Sequence, residues 1–155
     1  MFQQAIAKLI AKAAVETVSA HCDGPCGVYD PASARIAAEA ALSMTKKIKA
    51  LNAPGVGEDA DAYHNTMSRF IVIKEEQSHL AKEELLVLWT DYFKPEHLEK
   101  YPDLHDKFWK ATKLCSQVKQ EVNEDAANDL MAAVEDIHNI FWATKGRDVP
   151  FYTAS

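Results

Sequence analysis

Several features are scarce or missing in this sequence, and each one excludes a class of protein. No apolar run approaches the ~20 residues needed to cross a bilayer. Only 3 of the 155 residues are cysteine, an odd and small number that argues against a disulfide scaffold. Positive charge is in deficit: the formal net charge is −6, which argues against a general nucleic-acid binder. With charged residues at 26% and apolar ones at 48%, the chain is no disordered tail either. Its length suits one domain with a proper core.

Helix breakers are also few, 5 glycines and 6 prolines, and their distribution is informative. All fall in four clusters: Gly24 to Pro31, Pro54 to Gly57, Pro95 to Pro102 and Gly146 to Pro150. The stretches between are rich in Ala, Leu, Glu, Lys and Met, which predicts helices joined by short loops. Asp30 is a good N-cap and Pro31 a good first residue for a helix with a stripe of Ile36, Ala40, Met44, Ile48 and Leu51. A second, long helix is expected from about Glu58 to Phe93, stopping before Lys94-Pro95. A short turn or helical piece follows over Glu96 to Tyr101. A third helix opens at Pro102 and reaches about Val122. Asn123 caps a fourth, ending near Lys145-Gly146, and Arg147 to Ser155 reads as a tail. The expected fold is all-α, an antiparallel four-helix bundle.

Residues 1–20 stand apart. Phe2, Ala5, Ile6, Leu9, Ile10 and Ala13 recur at helical spacing, but Lys8 and Lys12 interrupt them. An export signal wants an unbroken apolar stretch of about 7 to 15 residues, which this segment lacks. Val18-Ser19-Ala20 nevertheless has the small residues of a cleavage site. An extra amphipathic helix and a removable leader both fit.

Three constellations could bear chemistry. His21-Cys22-Asp23-Gly24-Pro25-Cys26 precedes the first helix, and its C-x3-C spacing is compatible with reduced thiols, a Cys22–Cys26 disulfide or a zinc site. Cleavage after Ala20 would add the α-amine of His21. That amine, the Cys22 amide and the thiolates of Cys22 and Cys26 then form a square N2S2 plane, with the His21 imidazole in axial reach. Such donors suit nickel(II) or copper(II). The second constellation is a pair of Glu-x-x-His motifs, Glu76…His79 and Glu135…His138, as in ferritin-like di-iron bundles, although the first shares a half-charged face. The third is aromatic: Trp89, Phe93, Phe108, Trp109, Phe141 and Trp142 read as core and interface packing. Cys115 reads as a buried structural thiol.

The segment His21-Cys-Asp-Gly-Pro-Cys-Gly-Val-Tyr-Asp-Pro31 resembles the nickel-binding hook of the nickel superoxide dismutase family. The likeness continues through Val72–Glu75, Val87–Pro95, Glu99–His105 and Phe141–Lys145, and so spans nearly the whole chain after residue 20. The resemblance implies a homohexamer of four-helix bundles with an N-terminal metal-binding hook over 21–29. It implies one nickel ion per chain, held by His21, Cys22 and Cys26. It further implies removal of residues 1–20 by a processing protease, leaving a single domain over 21–155, and a cytoplasmic location. The activity implied is disproportionation of the superoxide anion to O2 and hydrogen peroxide by Ni(III)/Ni(II) cycling. Tyr29 matches the tyrosine that gates small anions, with protons supplied through it or through water. Asp23 and Cys26 contribute backbone amides to the same pocket, and Tyr92 and Lys94 match residues near it. The Gly24–Pro25 bond matches a cis peptide. The glutamate and arginine that orient the axial histidine in the family are replaced here by Ala37 and Gln77. The alternatives to this reading are a non-enzymatic zinc-binding bundle and a ferritin-like di-iron protein.

Overall fold

The computed structural model describes residues 26–55 and 59–154. Within them the chain forms α1 (Ala32–Ala50), α2 (Ala60–Val87), a π-helical turn (Leu88–Tyr92), α3 (Pro95–Lys100), α4 (Leu104–Gln120) and α5 (Glu124–Thr144). No strand occurs among the described residues. The four long helices pack in a ring, with α1 against α2, α2 against α4, α4 against α5 and α5 back against α1. Together with the connections between them, this gives the expected antiparallel bundle.

Local chemistry sets the helix ends. Asp30 Oδ1 accepts the Ala32 backbone N–H at 2.8 Å, and Pro31 already has helical backbone angles, so the pair opens α1. Asp59 caps α2 by accepting from the backbone N–H groups of Asp61 and Ala62. Asn123 accepts from the Ala126 N–H at 3.0 Å and opens α5 as expected. The long second helix ends in two stages. After Val87 the chain widens into the π turn, where the Phe93 N–H donates to Leu88 O at 3.1 Å. Phe93 and Lys94 are then extended, because Pro95 keeps the preceding residue out of the helical region.

The core is built from Leu85, Leu88, Leu104, Phe108, Cys115, Leu130, Ile137 and Phe141, all at or below 3% exposure. The face of α1 that meets it differs from the expected stripe. Ala34, Ala37, Ala38, Ala41, Thr45 and Ile48 are buried, whereas Ile36 is 56% exposed and Ala40 and Met44 are half-buried. Alanines let the α1 backbone approach its neighbours closely, so small residues form most of the seam, joined by Leu42 and by Ile48 of the expected stripe, while Ile36 stands outside it.

The terminal segment is a second difference. Val149 and Phe151 pack against the core instead of trailing away. His138 Nε2 lies 2.8 Å from Val149 O, and the Ala154 N–H donates to Glu39 Oε1 at 2.7 Å. Arg35 pairs with Glu39 at 3.2 Å and lies 4.5 Å from the centre of the Tyr152 ring. What reads as a tail is a strap tied to α1 and α5. The bundle is fastened elsewhere by Lys74, a buried lysine of α2. Its Nζ donates to Val118 O and Lys119 O, both at 2.6 Å, and so caps the last turn of α4. Burial holds the Lys74 ammonium below its ordinary pKa.

Candidate metal centre

Of the expected metal ligands, His21 and Cys22 lie outside the described residues, as do Asp23, the Gly24–Pro25 bond and residues 1–20. Cys26 is described, and its side chain is exposed at a turn. Gly27 follows with φ +65°, the left-handed region that a side-chain-bearing residue enters only with strain. From there the chain runs through exposed Val28 to Tyr29, which is half-buried and packs on the core cluster.

Tyr29 meets Tyr92, with ring centres 5.7 Å apart. The structure thus brings together two of the expected site residues that lie on different elements. Tyr92 is the last residue of the π turn, and its surroundings are crowded. Phe141 of α5 lies 4.4 Å from its ring centre, and His97 of α3 stacks nearly parallel at 5.6 Å. Lys145 Nζ stands 5.2 Å from the same ring, in cation–π range. The Tyr92 hydroxyl lies 2.6 Å from Thr144 Oγ1. Lys94 is exposed at the start of α3, where its backbone N–H donates to His97 Nδ1 at 3.1 Å. That bond makes Nδ1 an acceptor and fixes the His97 ring against Tyr92.

Sequence reasoning did not single out His97, Thr144 or Lys145 as parts of this cluster. Tyr92 and Thr144 are 52 residues apart, and no spacing rule links them. The one local signal was the position of His97, three residues after a helix-starting Lys94.

The other constellations dissolve in three dimensions. Glu76, His79 and Glu135 are exposed, and His79 pairs with Glu83 at 3.2 Å on the surface of α2. His138 is buried but is engaged by Val149 O. The Glu-x-x-His motifs therefore do not converge on a di-iron site. No group of three His, Cys, Asp or Glu side chains able to hold a metal occurs among the described residues. Phe93, Phe108, Phe141 and Trp142 are buried as expected, while Trp109 is exposed. Cys115 is a buried thiol whose pKa desolvation pushes up to about 12. Ala37 is fully buried in the α1 seam, and Gln77 is half-buried on α2.

Comparison with known proteins decides between the readings. The family model for nickel-containing superoxide dismutase matches residues 16–145. The chain belongs to that family. The nickel superoxide dismutase of Streptomyces coelicolor is 45% identical over 129 residues, covering 83% of this chain and 91% of that one. That of Streptomyces seoulensis is 44% identical over 128 residues, covering 83% and 90%. A crystal structure of a nickel-containing superoxide dismutase, with ligation corresponding to the oxidized state, superposes with a TM-score of 0.70 at 41% identity. It covers 82% of this chain and all of the other. The activity is nickel-dependent disproportionation of superoxide, and the metal is nickel. No helix among the described residues is long and apolar enough to cross a membrane.

Proposed function

We propose that residues 1–20 are a prosequence, that cleavage after Ala20 frees the amine of His21, and that His21, Cys22 and Cys26 then hold one nickel ion per chain. The observation that supports this most strongly is continuity: the only described residue of the hook cysteines, Cys26, leads through Gly27 directly to the Tyr29–Tyr92 pair. The donor set fits the metal. Two thiolates with an amine, an amide and an imidazole would give the mixed nitrogen and sulfur donor set that suits nickel. Cys26 is exposed, so its sulfur is accessible to a ligand, whereas Cys115 is sealed in the core. No cluster among the described residues competes for the metal.

Bound there, nickel supplies a one-electron III/II couple for the two half-reactions, which together turn two superoxides and two protons into O2 and hydrogen peroxide. The protein's residues handle the anion and the protons. Tyr29 follows Cys26 by three residues and its ring packs against Tyr92, which supports a role in narrowing the approach and handing on a proton. Backbone N–H groups of Asp23 and Cys26 offer donors to a small anion. Lys145 places a cation against the Tyr92 ring, and Lys94 is an exposed lysine two residues after Tyr92. The net charge of −6 gives superoxide no long-range attraction, so local cations have to provide it. Loss of residues 1–20 removes Lys8, Lys12 and Glu16 and makes the mature chain more acidic still.

The same reading includes assembly into a homohexamer, a processing protease as partner and a cytoplasmic location. Assembly is supported by the outer side of α2, where Ile71, Val72, Ile73, Leu80 and Leu86 are exposed. Location is supported by Lys8 and Lys12, which break the apolar run an export signal needs. Intact mass and metal analysis of protein matured in its own host test the reading. The expected result is a first residue of His21 with nickel near one per chain, and no dismutase activity in Cys22→Ser. Full activity in an uncut chain would overturn the proposed ligation.

A further inference from the structure

The hydroxyl oxygen of Tyr92 lies 2.6 Å from Thr144 Oγ1, and Thr144 Oγ1 lies 2.6 Å from the carbonyl oxygen of Phe141. A carbonyl oxygen only accepts, and a threonine hydroxyl has a single proton. The Thr144 proton is therefore given to Phe141 O, and Thr144 Oγ1 must accept. The Tyr92 hydroxyl must be the donor. The direction of the chain Tyr92 → Thr144 → Phe141 follows from the inventory of protons alone.

This direction matters for the pocket. The Tyr92 ring forms a wall for Tyr29, and its other ring contacts come from Phe93, Phe141, His97 and Lys145. Aromatic packing limits where the ring can sit, but it leaves the hydroxyl free to rotate. Thr144 removes that freedom. As the last residue of α5, it sits on a helix whose Ile137, Ile140 and Phe141 are buried, so its position is set by the core.

We propose that Thr144 is a positioning residue of the nickel pocket: it accepts the hydrogen bond of the Tyr92 hydroxyl, holds the Tyr92 ring as the wall behind Tyr29, and so leaves proton delivery to Tyr29 and water. This rests on the reading of Tyr29 given above. Without Thr144, the Tyr92 hydroxyl would turn and compete for the same anion and waters that Tyr29 serves.

Thr144→Val keeps the side-chain shape and removes the acceptor, and Thr144→Ser keeps the hydroxyl. In processed, nickel-loaded protein, Thr144→Val is expected to lower kcat/KM about fivefold, the usual size for one lost hydrogen bond. Thr144→Ser is expected to stay within about twofold. Because Thr144 acts through Tyr92, the valine substitution should have no further effect in a Tyr92→Phe background. Equal losses in both backgrounds would overturn the proposal. A second readout needs no metal. The Raman doublet of tyrosine reports whether a phenol donates or accepts, and the wild-type minus Thr144→Val difference spectrum should show one tyrosine moving from a donor-only pattern to the mixed pattern of a hydrated phenol, reversed by Thr144→Ser. An unchanged doublet would also overturn it. Failure of the underlying reading looks different: Tyr29→Phe would then be fully active, whatever the Thr144 variants do.

Discussion

The backbone N–H of Ala154 donates to Glu39 Oε1 at 2.7 Å, joining the end of the chain to the second turn of α1. Glu39 is itself bound to Arg35, and both are buried. The strap lies beyond residues 16–145, the part that matches the family, yet it covers the helix that emerges directly from the hook.

Truncation after Gly146 should therefore destabilise the protein. Val149 and Phe151 are half-buried against the core, and losing roughly half of each full burial contribution amounts to about 2 kcal/mol. The Arg35–Glu39 pair would lose its cover and His138 its carbonyl partner. Urea denaturation of the truncated and full chains measures the difference, and coincident curves would refute the strap.

Cys115 should be inert where Cys26 reacts. Its thiol stays protonated far above neutral pH, whereas Cys26 is exposed. In metal-free native protein at pH 8, iodoacetamide should label Cys26 and leave Cys115 until unfolding. Mass spectrometry of the peptides reads the outcome.

The same thiol makes stability depend on alkaline pH. A folded-state pKa of about 12 against an ordinary 9.0 means the unfolded chain releases this proton first. The stabilisation from a protonated Cys115 is complete below pH 9 and declines by ~1.4 kcal/mol per pH unit from about 9 to 12. Cys115→Ala should be about 1 to 2 kcal/mol less stable than wild type at pH 7, through the cavity it leaves. That deficit should shrink on going to pH 10.5. A deficit independent of pH would rule out the linkage.

Gly27→Ala tests the turn after Cys26. A Cβ at Gly27 would touch nothing within 4 Å, so the penalty comes from backbone conformation alone. With φ at +65°, that strain is about 1 to 2 kcal/mol. Borne locally by the hook, it should lower nickel affinity roughly tenfold while the thermal unfolding of the bundle stays unchanged. Competition with a chelator measures the affinity. Unaltered nickel affinity would show that the turn does not constrain the ligands.

Lys74→Met should destabilise the bundle by about 1 to 3 kcal/mol, because Val118 O and Lys119 O lose a charged donor in a buried place. The burial that lowers the lysine's pKa offsets part of what its hydrogen bonds contribute, which sets the upper end of that range. Chemical denaturation reads the difference, and wild-type stability in the variant would show that the α4 carbonyls find other partners.

Much of this protein is legible in one dimension because the signals are local. Glycine and proline clusters mark the loops, Asp30 and Asn123 accept the N–H groups of the helices they open, and the hook's donors sit within six consecutive residues. The widening of the second helix into a π turn was not legible, since nothing in Leu88–Tyr92 itself forbids an α-helix. Nor was the buried face of α1, where alanine gives no preference between inside and outside until neighbouring helices close on it.

Sequence alone determined the helices, their order and the family resemblance, because each depends on residues close together along the chain or on blocks in a set order. Tertiary structure alone decided that the terminal segment is a strap and that Tyr29, Tyr92 and Thr144 form one cluster. Those contacts join residues tens of positions apart, and only the packing of the four helices determines which distant side chains meet.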